Sequence, residues 1–375
     1  MPIAALHVQG YRSIRDLRLE PGRVNVVVGA NGVGKTNLYR ALRLLSEAAS
    51  GRLAAEFLLE GGFPSALWAG PRKRKGPVEL SVSVDFGDFD YQLVCGLMPQ
   101  APDAHKYTSF IKDPQVKLER VSVPAGKRRS VMMERKVASA WVRDERGAVQ
   151  DYPLSLSPSE SILSQVREPH RYPELAAVRQ RIDSWRFYHR FPTGPLAAMR
   201  RVGPGARTPV LAQDGADLAP ALLTILELGD REGLELAIAR ALGAALLVDA
   251  DVDRARFEVT LMVGGLNRAM GAAELSDGTL QFLSLLAALL SIEPPELLVL
   301  NEPESNLHVN LLDPLAELIV RAAERCQIWI TTHSPELADA IGRRSDDRVL
   351  ELYLDEGETR IKGMHPLFGT WQDED

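Results

Sequence analysis

The run Val24-Asn25-Val26-Val27-Val28 ends at the octapeptide Gly29-Ala30-Asn31-Gly32-Val33-Gly34-Lys35-Thr36, and few sequence features leave a chain less freedom. An almost unbroken apolar run suits a strand covered on both faces. From Thr36 to Ser46 the apolar residues Leu38, Ala41, Leu42 and Leu45 recur at the helical period, so a strand, a glycine loop and a helix follow one another. The octapeptide satisfies G-x-x-x-x-G-K-[ST] in the strand-to-helix setting that gives the pattern meaning. Its glycines let the backbone wind tightly enough for N–H groups to point inward at phosphate oxygens, and the positive end of the following helix adds to that field. Lys35 is expected to bridge β- and γ-phosphates and the Thr36 hydroxyl to bind Mg²⁺. In a chain of 375 residues, a chance match is on the order of one in a hundred before the context is counted.

Three further segments place polar groups where ligands bind. Leu297 to Leu300 is a second buried strand, and Asn301-Glu302-Pro303-Glu304 follows it; the tips of central parallel strands face the ligand crevice. Glu302 is positioned to polarise a water for in-line attack on a γ-phosphate, whereas Glu304 reads as a surface charge. Gln327 to Thr332 is a third buried strand, leading into His333, Ser334 as N-cap and Pro335 at the first helical position. His333 at that tip is within reach of the same phosphate. Ser276-Asp277-Gly278 precedes a helix from Thr279 to Leu290 that is apolar on almost every side; Ser276 reads as its N-cap and Gly278 permits close approach. Asp313 with Pro314 reads as the start of another helix. The pairs 78–86 and 91–97 flank a Gly-Asp turn and predict a hairpin.

GANGVGKT, LSDGT, LLVLNEPESNLH and TTHS, in this order, resemble the ABC-type ATPase heads of the RecF, SMC and OLD-like group, and more closely the small stand-alone bacterial AAA-like ATPases of that class. GYRSIRD, GGFPSALWAG, SWRFYHRF and LAQDGADLAPAL are supporting matches. The resemblance implies an α/β fold, an ABC-type P-loop NTPase head with a mixed central sheet; the residues themselves add an antiparallel β part and an inserted subdomain, and without sustained heptads no long coiled coil of the kind an SMC likeness would imply is expected. It assigns residues 29–36 to Walker A, Asn301 and Glu302 to Walker B, Ser276 with Asp277 and Gly278 to the signature, residues 305–308 to a partner-contacting loop and His333 to the switch histidine. Glu302 and His333 are thus the expected catalytic pair, and ATP with Mg²⁺ the expected cofactors. An aspartate usually stands at Asn301; the amide can accept from a metal-bound water without adding negative charge, so Mg²⁺ would rest more on Thr36 and the phosphates. Gln115 and Gln213 are both candidates for the Q-loop glutamine.

Composition narrows the rest. With 45% hydrophobic and 25% charged residues, the chain reads as an ordinary soluble protein. The start lacks a secretory pattern, and Pro294 and Pro295 break the most apolar stretch short of a membrane span. Its two cysteines, Cys95 and Cys326, match neither a disulfide framework nor a zinc site, and fit a cytoplasmic protein. Expected divisions are 1–97 (head, Walker A), 98–212 (insert) and 213–375 (head with signature, Walker B and switch histidine). The stretch after His333 leaves no room for an OLD-type nuclease domain, and Asp249, Asp251 and Asp253 read as a solvated turn. The expected function is an ATP-driven switch that dimerises through composite sites and acts on DNA or a partner effector in repair or defence against mobile elements. Against direct DNA contact stands a net charge of −6; in its favour are clusters at residues 72–75, 127–129 and Arg200-Arg201. The alternatives are the ATPase subunit of a membrane transporter and a slow regulatory nucleotide-binding protein.

Overall fold

The computed structural model describes residues 2–71, 78–98, 109–126, 128–152 and 155–364. The chain begins with β1 (Ala5–Tyr11), β2 (Ile14–Leu19) and β3 (Val24–Gly29), then α1 (Lys35–Ala49) and the short helices α2 (Leu53–Leu59) and α3 (Phe63–Ala66). Strands β4 (Glu79–Asp85), β5 (Asp90–Leu97), β6 (Pro114–Ala125), β7 (Arg128–Lys136), β8 (Ser139–Arg143) and β9 (Val149–Asp151) lead to α4 (Ile162–Gln165) and α5 (Pro173–Asp183). After β10 (Arg186–Tyr188) and β11 (Gly203–Pro204) come α6 (Leu218–Leu228), α7 (Arg231–Leu242), β12 (Ala244–Asp251), β13 (Arg256–Val263) and β14 (Met270–Gly271). The last stretch holds α8 (Asp277–Leu289), β15 (Leu297–Asn301), α9 (Leu312–Ala322), β16 (Gln327–Thr331), α10 (Pro335–Gly342), β17 (Val349–Asp355) and β18 (Glu358–Ile361). Two units result: Met1–Gly22 with Gly29–Trp185 and Leu350–Asp375, and Arg23–Val28 with Arg186–Val349.

An eight-stranded antiparallel sheet in the order β2-β1-β4-β5-β6-β7-β8-β9 forms the first unit's framework. Period-two patterning builds it: in β4, Leu80, Val82 and Val84 are buried while Glu79, Ser81, Ser83 and Asp85 lie half-buried between them. The expected hairpin is β4 and β5, with Val82 opposite Leu93 and a turn at Gly87-Asp88. The sheet runs on without a break, Cys95 pairing with Val116 of β6, so strands from the segment expected as an insert extend it. Leu38, Ala41, Leu42 and Leu45 of α1 are buried, and the helix packs on β1, β4 and α5. On β6 and β7 the fully buried Glu119 and Arg135 face each other at 3.9 Å. Glu119 accepts from Tyr91 Oη at 2.8 Å, Ser161 Oγ and the Ile162 N–H, and Arg135 donates to the carbonyls of Val137, Ser157 and Glu160. These bonds satisfy the buried charges and pin residues 157–162 to the sheet.

In the second unit β10, β15, β16 and β3 lie parallel in that order. Every residue of β15 and β16 is buried, as strands covered on both faces must be. The register sets Asn301 beside Thr331 and Thr331 beside Val27, so three strand tips end level at one edge. Helix α8 is buried along nearly its whole length, and Leu280, Leu283 and Leu286 share a core with Leu222, Leu315 and Ile319. One expected helix start is wrong: α9 begins at Leu312 and its N-cap is Leu311, so Asp313 lies inside the first turn. A 3₁₀ turn over Val309–Leu311, capped by His308, feeds the helix directly, and Asp313 pairs with Arg344 at 2.8 Å.

Candidate nucleotide site

Gly29, Gly32 and Gly34 have φ of +145°, +82° and +104°, and this left-handed winding turns the chain from β3 into α1. A Cβ at Gly34 would lie 2.2 Å from Thr359 Oγ1, so packing as well as dihedral demands glycine. Lys35 opens the helix, and its buried ammonium donates to the carbonyls of Gly29 at 2.6 Å and Ala30 at 2.9 Å. Behind the loop stands a brace the sequence reading missed. Thr359 Oγ1 donates to the Val33 carbonyl at 2.8 Å, its N–H donates to the Ser13 carbonyl at 2.7 Å, and Asn37 Nδ2 donates to Ser13 Oγ at 2.7 Å. Ser13 lies in GYRSIRD, the segment quoted only for its resemblance. That segment also meets the GGFPSALWAG stretch, the Trp68 N–H donating to the Gly10 carbonyl at 2.7 Å. Ala30, Asn31, Gly32 and Thr36 are exposed, and no acid occupies the first turn of α1. A winding glycine loop, an ammonium lying on it and a helix N-terminus open to negative charge fit a nucleotide's phosphates.

At the strand tips Asn301 is buried and bonded at both ends of its amide. Its Oδ1 accepts from Thr331 Oγ1, and its Nδ2 donates to His189 Nδ1. What it can still offer toward a metal-bound water is the second lone pair of Oδ1. His189 was not singled out, although SWRFYHRF contains it. Glu302 adopts φ +51°, with its N–H donating to the Thr331 carbonyl at 2.7 Å. This aims its carboxylate at His333, Nε2 to Oε1 3.4 Å, with both side chains partly exposed. Glu304 is not a surface charge. Its Oε1 accepts from Thr332 Oγ1 at 2.7 Å and from the His333 N–H at 2.8 Å, while its Oε2 is buried without a hydrogen-bond partner among the described residues.

Ser276 caps α8, Oγ accepting from the Thr279 N–H at 3.1 Å. A Cβ at Gly278 would lie 2.6 Å from the Asn306 carbonyl, so the group that approaches this glycine is the loop following Glu302. The Asp277 carboxylate is held by Arg200 Nη2 at 2.6 Å. Arg200 also donates to the carbonyls of Leu275 at 2.6 Å and Thr193 at 2.6 Å, so its charge serves the chain itself and not an outside phosphate. Arg129 is similarly committed, to Asp85 at 2.5 Å and Asp90 at 3.4 Å. Residues 72–75 and Lys127 lie outside the described residues. Gln115 is buried in β6 with its carbonyl accepting from Lys117 Nζ, and Gln213 is exposed before α6.

The level strand tips and the capped helix of the second unit, and the glycine loop of the first, are each elements of a P-loop fold of the RecF, SMC and ABC type. The protein family described as "AAA domain, putative AbiEii toxin, Type IV TA system" matches residues 24–339, and the chain belongs to it. Among individual proteins, it is 42% identical over 69 residues to a DNA replication and repair protein RecF of Bifidobacterium adolescentis, covering 18% of this chain and 17% of RecF. It is 40% identical over 79 residues to a zinc import ATP-binding protein ZnuC of Halorhodospira halophila, covering 20% of this chain and 25% of ZnuC. The chain thus spans a quarter or less of the length of these relatives. Two solved folds cover nearly everything: an SmcHead bound to the C-winged helix domain of ScpA (14% identity, 96% of this chain and 97% of that one, TM-score 0.56), and a Pyrococcus furiosus-derived Smc head with the C-terminal domain of ScpA (14%, 96% and 95%, 0.53). No helix among the described residues is long and apolar enough to cross a membrane.

Proposed function

We propose that this protein binds and slowly hydrolyses ATP as a molecular switch, and that ATP-driven pairing of two copies is coupled to DNA or to a partner effector in repair or in defence against mobile elements. The observation that supports it best is the Glu302–His333 pair, 3.4 Å apart, on adjacent strand tips level with the strand that enters the glycine loop. Lys35 neutralises phosphate charge, and the N–H groups of residues 29–36 orient it. Glu302 accepts a proton of the attacking water and aligns it with the γ-phosphorus. His333 donates from Nε2 toward the γ-phosphate. Mg²⁺, held by Thr36 and through water by Asn301, would screen the remaining phosphate charge. Asn301 adds no negative charge and is bonded at both amide ends, which supports slow turnover. Ser276 and Gly278 serve a phosphate held by a second copy. The RecF likeness supports an output on DNA and the toxin–antitoxin wording of the family supports one in defence.

The test is Mg-ATP hydrolysis by Glu302→Gln. The amide keeps the shape and loses the proton acceptor, so nucleotide affinity is retained while turnover falls about 10²–10⁴-fold. Turnover equal to wild type rejects the reading.

A further inference from the structure

The hydrolytic pair proposed above stands on two separate loops. Glu302 follows β15 and His333 follows β16, and at 3.4 Å with both side chains partly exposed their own contact is too weak to hold those loops in register. Glu302 is moreover a non-glycine residue at φ +51°, a conformation that persists only where its surroundings enforce it. A cross-link between the loops is present in Glu304. Two residues beyond Glu302, it reaches across to the other loop and binds a side chain and a backbone group there with one oxygen: the Thr332 hydroxyl at 2.7 Å and the His333 N–H at 2.8 Å. Thr332 is fully buried and is fixed to the sheet from its other side, its N–H donating to the Val27 carbonyl at 3.1 Å. The Thr332 hydroxyl also accepts from the Ser334 N–H at 3.0 Å, at the start of α10.

We infer that Glu304 is a positioning residue for hydrolysis: its carboxylate locks the His333 turn to the Glu302 loop and so sets the distance between the two groups that act on the attacking water. Both of its bonds go to the turn that carries His333, so it acts through that turn. The chemistry favours this over a passive packing role. Glu304 leaves Oε2 buried without a partner among the described residues, an arrangement that costs stability. An ionised carboxylate makes stronger bonds to its donors than a neutral acceptor does, and both of its donors lie on the turn that carries His333.

The inference rests on the ATPase reading, and one panel of variants separates the two. Wild type, Glu302→Gln, Glu304→Ala, Glu304→Gln and Thr332→Val are compared for Kd of a fluorescent ATP analogue, thermal midpoint and kcat. Expected are unchanged Kd throughout and a kcat loss of about 10²-fold in Glu304→Ala, the scale of a misplacement near 1 Å. Thr332→Val, which keeps shape and removes one of the two bonds to Glu304 together with the acceptor of the Ser334 N–H, shows a smaller loss in the same direction. Glu304→Gln retains an acceptor oxygen and stays within about fivefold of wild type. Wild-type kcat in both Glu304→Ala and Thr332→Val, with Glu302→Gln inactive, overturns the role of Glu304 and leaves the ATPase reading intact. Undiminished turnover in Glu302→Gln overturns the ATPase reading and the inference with it. Should Glu304→Ala fail to fold, Thr332→Val decides: loss of kcat at unchanged midpoint supports the inference, and wild-type kcat overturns it.

Discussion

Lys35 illustrates how a single residue can be identified without a structure. Its place in the glycine loop follows from spacing alone, and the ammonium does lie on that loop, bonded to the carbonyls of Gly29 and Ala30. Replacing it removes the principal counter-charge, and a hydrogen bond to a charged group is worth about 1.5–3 kcal/mol. Lys35→Ala should therefore weaken Mg-ATP binding by roughly tenfold to a hundredfold or more, measured by calorimetric titration; undiminished affinity would remove the phosphate-binding assignment. Glu304 is the opposite case. In NEPE the strand's end singles out Glu302 and leaves Glu304 reading as a surface charge; the neighbouring strand tip, 29 residues onward in the chain, gives Glu304 its partner. Gly278 was legible as a residue that admits a close neighbour, but that the neighbour is the Asn306 carbonyl depends on where the loop after Glu302 folds.

Among the elements, those with a strong period were readable. Val24–Gly29, Leu297–Asn301 and Gln327–Thr331 are strands, and residues 36–46 lie within the helix Lys35–Ala49, where the apolar patterning required them. The start of α9 was misread because Asp-Pro is a good cap in isolation, while the preceding turn, capped by His308, already supplies helical geometry upstream of it. The buried Glu119 and Arg135 on β6 and β7 gave no signal, since charges on a half-polar strand read as solvent-facing. Burial pushes the Glu119 carboxyl up and the Arg135 guanidinium down, while the donors around Glu119 work against its shift. Arg135→Met strips three carbonyls of their donor and leaves Glu119 without its nearest cation. It should lower unfolding stability by about 3–5 kcal/mol in urea titration, and a loss below about 1 kcal/mol would show that residues 157–162 are held by other contacts.

For the whole molecule, the glycine loop and the Ser276 cap are anion-ready helix starts separated by more than half the chain, and the proposed pairing lets one serve the other across a two-fold axis. Lys35→Ala and Ser276→Arg, each inactive alone, should complement when mixed. Under random pairing half the dimers are mixed and each carries one intact site of two, so up to roughly a quarter of wild-type turnover returns. A mixture as inactive as its components, with mixed dimers demonstrated, rejects the shared site. By itself the sequence determined the local states: the loop's winding, the buried strands, the caps at Ser276 and Ser334, and with them the ATPase class. These are set by neighbours within a few residues, through glycine's freedom, apolar period and capping chemistry. Tertiary structure alone decided which tips stand level, why Thr331 and His189 take both ends of the Asn301 amide, that Arg200 belongs to Asp277, and that Glu304 joins two loops. Such contacts depend on strand order and register, which bring together groups that no short-range pattern relates.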